Sequence, residues 1–322
     1  MTDAAAAPGG LGSLTPVQLR TLAALRRTEP PVVFDPDFVA ELRHDAETGL
    51  GELATRLAAG DGDGDGRDLW VSKHHVAGVL GCEAQHLAPD PFTWTPARAR
   101  GQVAHRAIQL SVHWRGDPTP MDLVDDAMAR LVDAERGLGE WIAGLEPGEE
   151  ADLRGQAVER VTKFVECFPP LDRRANPTTE ARAQWPVTGP IQLTGKVDLM
   201  IGKPEGRESR KVIVDLKSGR LTHHHREDLR FYALVETLCR DVPPRRLVSF
   251  SLDSAIADVE DVTEGLLRSS LRRTLDAIER MIELRVEARP PVRVPGPACR
   301  WCTLAVDCEP GQAHLSEDRA AR

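Results

Sequence analysis

A chain of 322 residues can bury a substantial core, as one large domain or as two. Its formal charge of −9 argues against a protein that coats nucleic acid through bulk charge, although local basic surface is compatible with it. No apolar run approaches the ~20 residues of a membrane span, and "MTDAAAAPGGLGS" lacks the basic start and apolar centre of a signal peptide, so a cytoplasmic protein without membrane contact is expected.

The Ala/Gly-rich residues 1–14 read as disordered. Thr15-Pro16 and Asp35-Pro36 each pair an N-cap with a proline at the first helical position, and open helices through "VQLRTLAALRR" and "DFVAELRHDAETGLGELATRLAAG". A helical N-terminal region over 15–71 closes with "DGDGDG", residues 61–66. Its Asp61, Asp63, Asp65 and Gly66 look like the start of a calcium loop, but Ser72 stands where the bidentate acid belongs, so it reads as an acidic linker. Ser72 would cap a helix through "KHHVAGVLGCEAQHLA", and "PARARGQVAHRAIQLSVHW" predicts another. Helical spacing continues over 121–145 and 149–168, joined near "EPGEE".

After the turn-rich "FPPLDRRANPTTEARAQWPVTGP" the period changes. "IQLTGKVDLMIG" and "KVIVDLKSG" read as strands of an antiparallel hairpin, "REDLRFYALVETLCR" as a helix and "RRLVSFSLDS" as a strand. A long amphipathic helix then ends before Pro290-Pro291. The order predicts an α/β fold with a mixed central sheet flanked by helices, a helical N-terminal half, and a tail over 311–322.

Two strands each deliver a carboxylate near the end of an apolar run: Asp198 in "GKVDLMIG" and Asp215 in "VIVDLKSG". Paired across a hairpin they could share a divalent cation with the carbonyl of Leu216, a hard-oxygen set suited to Mg²⁺ or Mn²⁺. Lys217, two residues from Asp215 and on the same side of the strand at about 6–7 Å, would orient a water or stabilise charge on a phosphate. In isolation, Asp-x-Lys reads first as a partly buried ion pair at a strand end.

"GKVDLM", then "VDLKSG", then a helix carrying "DLRFYALV", resembles the RecB-like branch of the PD-(D/E)XK nuclease superfamily, whose motifs recur in this order. "GQVAHRAIQ" is similar to the branch's helix with a metal-binding histidine, which implies His105, and Glu180 in "TTEARAQWPV" matches an acid before the first motif strand. The resemblance implies that Asp198, Asp215, His105 and Leu216 hold metal. It also implies that Lys217 assists the attacking water and that Tyr232 positions substrate or the lysine. The sequence departs from the pattern at Asp228, where the family carries glutamine; an acid there would repel a phosphate or pair with a cation.

Of six cysteines, Cys299, Cys302 and Cys308 crowd into "ACRWCTLAVDCEPG". In a chain without an export signal such clustering favours metal ligation over disulfides. Four thiolates suit either an iron-sulfur cluster or structural zinc, and spacing does not choose between them. The same RecB-like branch includes AddB-type nucleases and CRISPR-associated adaptation exonucleases. In these, one cysteine before the core and three after it hold a 4Fe-4S cluster, which implies Cys82 as the fourth ligand. Cys167 and Cys239 read as packed thiols.

Lys217, Arg220, Arg226 and Arg230, and Arg98, Arg100 and Arg106 around His105, are candidate phosphate grips, with His223, His224 and His225 read as a polar loop near DNA. The expectation is a metal-dependent DNA exonuclease over residues 72–310, acting on single-stranded ends in DNA repair, recombination, CRISPR adaptation or phage defence. The alternative is a catalytically silent iron-sulfur DNA-binding subunit of a larger complex. No Walker A pattern is present, so unwinding would fall to a helicase or another subunit in trans.

Overall fold

The computed structural model describes residues 14–26, 30–60, 68–89, 92–134, 137–219 and 221–320. Residues 1–13, the run "DGDGDG" and Arg220 lie outside the described residues.

Helices α1 (Pro16–Leu25) and α2 (Pro36–Ala59) begin as their caps predict: the Thr15 hydroxyl accepts from the Gln18 N–H and the Asp35 carboxylate from the Asp37 N–H. The next expected helix is broken in two. Cys82 is extended (φ −148°, ψ 109°) and separates α3 (Lys73–Gly81) from α4 (Glu83–Leu87). After α5 (Pro96–His113), the stretch read as one helix over 121–145 divides into α6 (Pro120–Asp133) and α7 (Leu138–Ala143). Gly137, at φ 53°, turns the chain into α7. Helix α8 (Pro147–Cys167) follows.

Six strands form one sheet: β1 (Leu69–Val71), β2 (Thr178–Trp185), β3 (Ile191–Ile201), β4 (Val212–Lys217), β5 (Arg246–Ser251) and β6 (Ala257–Asp261). Helix α9 (His223–Arg240) links β4 to β5, α10 (Glu264–Arg285) follows β6, and α11 (Glu309–Ala320) ends the described chain. The sequence reading missed β1, β2 and β6. "TTEARAQW" and "ADVED" carry too much polarity to announce a strand, and their extended form comes from pairing with β3 and β5. The histidine triplet is the first turn of α9 and not a loop: the Thr222 N–H donates to His225 Nδ1 at 3.1 Å, closing the helix start.

The sheet runs β1-β3-β4-β5-β6, with β2 on the other edge of β3. The β3–β4 pair is antiparallel, as expected of a hairpin, and β4–β5 is parallel. Each face is covered. Ile213 and Leu247 pack with α2, α3, α9 and α10, whereas Val212, Val214, Leu216, Val248 and Phe250 pack with α5, α6 and α8. This is the alternation that a strand buried on both sides imposes. No helix among the described residues is long and apolar enough to cross a membrane.

Phe250 joins the helical half to the sheet, its ring 5.2 Å from Phe168 and 6.3 Å from Phe164, edge to face with both. Phe250→Ala is expected to cost about 3–5 kcal/mol, through lost burial and the cavity left behind. Urea unfolding checks this, and a loss under about 1 kcal/mol would show that the two halves do not depend on this contact.

Candidate active site

The site grows from a gap in one edge of β3. On that edge β1 pairs with Ile191–Leu193 and β4 with Leu199–Ile201, so the residues between have no strand beside them, while β2 runs along the other edge. The last pair before the gap is Leu199↔Val214. One step further in the same register, Asp198 stands opposite Asp215. There the Asp198 carboxylate takes the Leu216 N–H at 2.9 Å, occupying the ladder's donor and stopping the zip. Facing also changes at this point: Ile191, Leu193 and Val197 pack in the α9 layer and Leu199 in the α5 layer. Across from Asp198 on β2, Glu180 holds a left-handed φ of 53°, a strained conformation for a residue other than glycine.

Asp215 is the centre of the charge network. Its side chain is only 4% exposed, yet Lys217 Nζ lies 2.7 Å from Oδ2 and Lys73 Nζ 3.6 Å from Oδ1. Lys217 is therefore the close ionic partner of the buried Oδ2. Lys73, on the first turn of α3, also pairs with Asp228 at 3.2 Å and sits 5.0 Å over the ring of Tyr232, the chain's one tyrosine. Burial disfavours the Lys73 ammonium, but Asp215, Tyr232 and Asp228 together hold it well above the usual lysine range. Burial pushes the Tyr232 phenol up to about 12 against the pull of Lys73, so it stays protonated. The ring presses on β3 where a side chain cannot fit: a Cβ on Gly195 would lie 2.9 Å from it.

From the other layer, α5 brings His105 Nδ1 to 3.5 Å from Asp198 Oδ1. Burial opposes the imidazolium, and the bond and charge of Asp198 outweigh it, raising His105; the same pairing outweighs burial in lowering Asp198. Burial and neighbouring lysines push His74 and His225 down, keeping them neutral.

Lys73, His74 and Tyr232 line a cavity of about 800 Å³ together with Glu180, His105, Asp198, Asp215 and Lys217. All the side chains expected at the catalytic centre therefore share one space, although Glu180 turns its carboxylate to Lys196. The Leu216 side chain is buried in the α5 layer and contributes only backbone. Sequence reasoning missed Lys73 and His74, which line the same cavity. "SKHHV" reads as an exposed first turn, and only the partnership with Asp228 would have drawn attention to it. Two expected phosphate grips are committed elsewhere: Arg226 binds Asp258, and Arg230 binds Glu260 and Glu227. Among the described residues, no three His, Cys, Asp or Glu side chains stand together as a formed metal cage.

A second construction lies at the far end of α3. Cys82, Cys299, Cys302 and Cys308 line one small cavity as free, partly buried thiols. The Val294 N–H donates to Cys82 Sγ and the Gly296 N–H to Cys299 Sγ, each at 3.4 Å. A Cβ on Gly311 would fall 3.3 Å from Cys308 Sγ and 3.6 Å from Cys299 Sγ, so the glycine leaves room beside two sulfurs. Cys167 and Cys239 line other parts of the core, and burial raises both thiols. The residue after Cys82 fastens the frame. Glu83, 3% exposed, takes two hydrogen bonds from Arg289, at 2.6 and 2.8 Å, and the Val292 N–H at 2.8 Å.

The Arg289 hydrogen bonds, supported by the Val292 N–H, bring the Glu83 carboxyl down to about 2 from 4.5. Its contribution to stability is therefore fully present above pH 4.5 and is lost as pH falls through 2. Glu83→Gln is expected to melt at lower temperature than wild type at pH 7, with the difference shrinking below pH 4.5. A difference independent of pH would show that the charge is not what fastens the loop.

No curated protein matches the chain. Among solved structures, the crystal structure of SSO0001 is 14% identical over 64% of this chain and 94% of that one, with a TM-score of 0.31. The crystal structure of Scheffersomyces stipitis Rai1 is 11% identical over 74% and 67%, with a TM-score of 0.22. Neither likeness is close enough to carry an argument. The family model that matches is that of the PD-(D/E)XK nuclease superfamily, and it spans residues 73–309, from the first turn of α3 past the last cysteine. With Asp198, Asp215 and Lys217 inside that span, the chain belongs to the PD-(D/E)XK nuclease superfamily.

Proposed function

We propose that this protein is a metal-dependent deoxyribonuclease of the RecB-like branch, an exonuclease on single-stranded DNA ends whose catalytic unit over residues 72–310 is framed by a 4Fe-4S cluster. The observation that carries the reading is the cavity beside the gap in β3, which both Asp198 and Asp215 line, with a histidine against the first and a lysine against the second. The donor set fits a hard divalent cation: the carboxylate oxygens of Asp198 and Asp215 and the imidazole of His105, lining one cavity. Asp198, Asp215, His105 and the Leu216 carbonyl would hold Mg²⁺ or Mn²⁺. When bound, the ion would polarise the phosphate and lower the pKa of a water.

The chain's own groups do the rest. Lys217 orients the attacking water beside Asp215 and offsets charge growing on the phosphate. Tyr232, protonated at neutral pH, packs under Lys73 and fixes the floor of the cavity. Glu180 draws Lys196 along the rim of the same cavity, where the ammonium can meet a neighbouring phosphate. At the cysteine frame, four thiols around one cavity and N–H donors to two sulfurs suit a thiolate-bound cluster. Structural zinc is the competing occupant.

Anaerobically purified protein with Mg²⁺ or Mn²⁺ is expected to degrade end-labelled single-stranded DNA. Chelation would abolish the activity, and Lys217→Ala and Asp215→Ala would lower it at least about a hundredfold. Activity that survives chelation overturns the metal dependence, and activity that survives either substitution overturns the roles given to Lys217 and Asp215. Absence of cleavage by cluster-loaded wild type would favour a silent DNA-binding subunit, or an enzyme that needs a helicase partner. Metal analysis is expected to find about four irons per chain, with iron and visible absorbance lost in Cys302→Ser; one zinc and no chromophore would replace the cluster with a structural zinc.

A further inference from the structure

The site contains a charge that the nuclease reading leaves unused. Lys73 is 9% exposed, and its ammonium stands between Asp215 Oδ1 at 3.6 Å and Asp228 Oδ2 at 3.2 Å. Asp228 itself is only 16% exposed. It occupies the position four residues before Tyr232, one helical turn away on α9, and reaches the cavity only through its ion pair with Lys73. A buried lysine is tolerated only with its charge matched, and Asp228 is the nearer of its two carboxylates. Asp215 cannot serve as that partner alone, because Lys217 already lies against its other oxygen.

We infer that Lys73 and Asp228 form a charge-setting pair. Lys73 is a resident cation that weakens divalent-ion binding at Asp215, and Asp228 is its counter-ion, neither a metal ligand nor a phosphate contact. This rests on reading Asp215 as a metal ligand. A fixed positive charge beside the ligand oxygen opposes a second cation, and the opposition falls when the anionic phosphate of the substrate enters the same cavity. Metal loading then favours the DNA-bound protein. The pair acts through Asp215, so both members are positioning residues.

The signs separate this account from a structural one. Removing only the lysine leaves Asp228 uncompensated and should tighten metal binding. Removing only the aspartate releases the full charge of Lys73 and should weaken it. A merely structural pair would weaken binding whichever member is lost.

The test is direct Mn²⁺ binding to the intact, cluster-loaded protein without DNA, followed by electron paramagnetic resonance of the free ion. Lys73→Met is expected to bind Mn²⁺ at least about fivefold more tightly than wild type, and Asp228→Asn at least about fivefold more weakly. The double variant should return to within about twofold of wild type. Equal-sign changes in the two single variants would overturn the proposal, as would a double variant no tighter than Asp228→Asn. If Lys73→Met fails to fold, the comparison of Asp228→Asn with the double variant still decides, because they differ only in the lysine. Asp215→Asn tests the underlying reading separately: undiminished Mn²⁺ binding there would remove Asp215 as a ligand, whatever the other variants do.

Discussion

The side-chain capture of one backbone donor organises the active site. Antiparallel β3 and β4 would continue to pair past Leu199↔Val214 if the Leu216 N–H were available to the β3 backbone. The Asp198 carboxylate takes that N–H first. The strands then part, β4 continues beside β5, and the vacated edge of β3 becomes the wall of a cavity. The same carboxylate lies beside His105, in the cavity that Asp215 also lines. Helices from both faces of the sheet reach into the opening: α5 with His105 from one side, α3 and α9 with Lys73 and Tyr232 from the other, and Asp228 stands behind Lys73.

Charge is then packed where water would normally screen it. Asp215 and Lys73 are almost wholly buried, and interactions between such groups weaken little with salt. Replacing one member of a buried network exposes the desolvation cost of the others, so these residues act as a set. Helix α3 joins the set to the cysteine frame. Lys73 stands at its first position and Cys82 just past its last, nine helical residues apart, a rise of about 1.5 Å per residue. Glu83 and Arg289 clamp the chain immediately beyond. The frame thus sets the position of α3 from one end, while the Asp215 and Asp228 carboxylates hold it from the other.

Much of this was legible in the sequence where a strong local signal coincided with a tertiary need. The Thr15-Pro16 and Asp35-Pro36 caps open helices, and the β-branched run at Val212, Ile213 and Val214 makes the doubly covered strand it suggests. Asp198, Asp215, Lys217, His105 and Tyr232 meet in one cavity because motif order carries topology with it. Polar strands were not legible. "TTEARAQW" takes extended form through its long pairing with β3, and nothing within those eight residues states that partnership. Lys73 was hidden for a related reason: a lysine after a cap reads as solvated, and its burial depends on carboxylates more than a hundred residues away. The histidine triplet misled by composition, since polarity suggested a loop while His225 closes the first turn of α9.

The proposed divalent-cation site is formed by Asp198, Asp215 and His105 in the gap between β3 and β4. Anomalous diffraction from crystals grown with Mn²⁺ tests it most directly. The account predicts a peak about 2 Å from oxygens of both carboxylates, with His105 turned to the ion in place of Asp198. Protein that cleaves DNA with Mn²⁺ while the peak lies outside this cavity would contradict it.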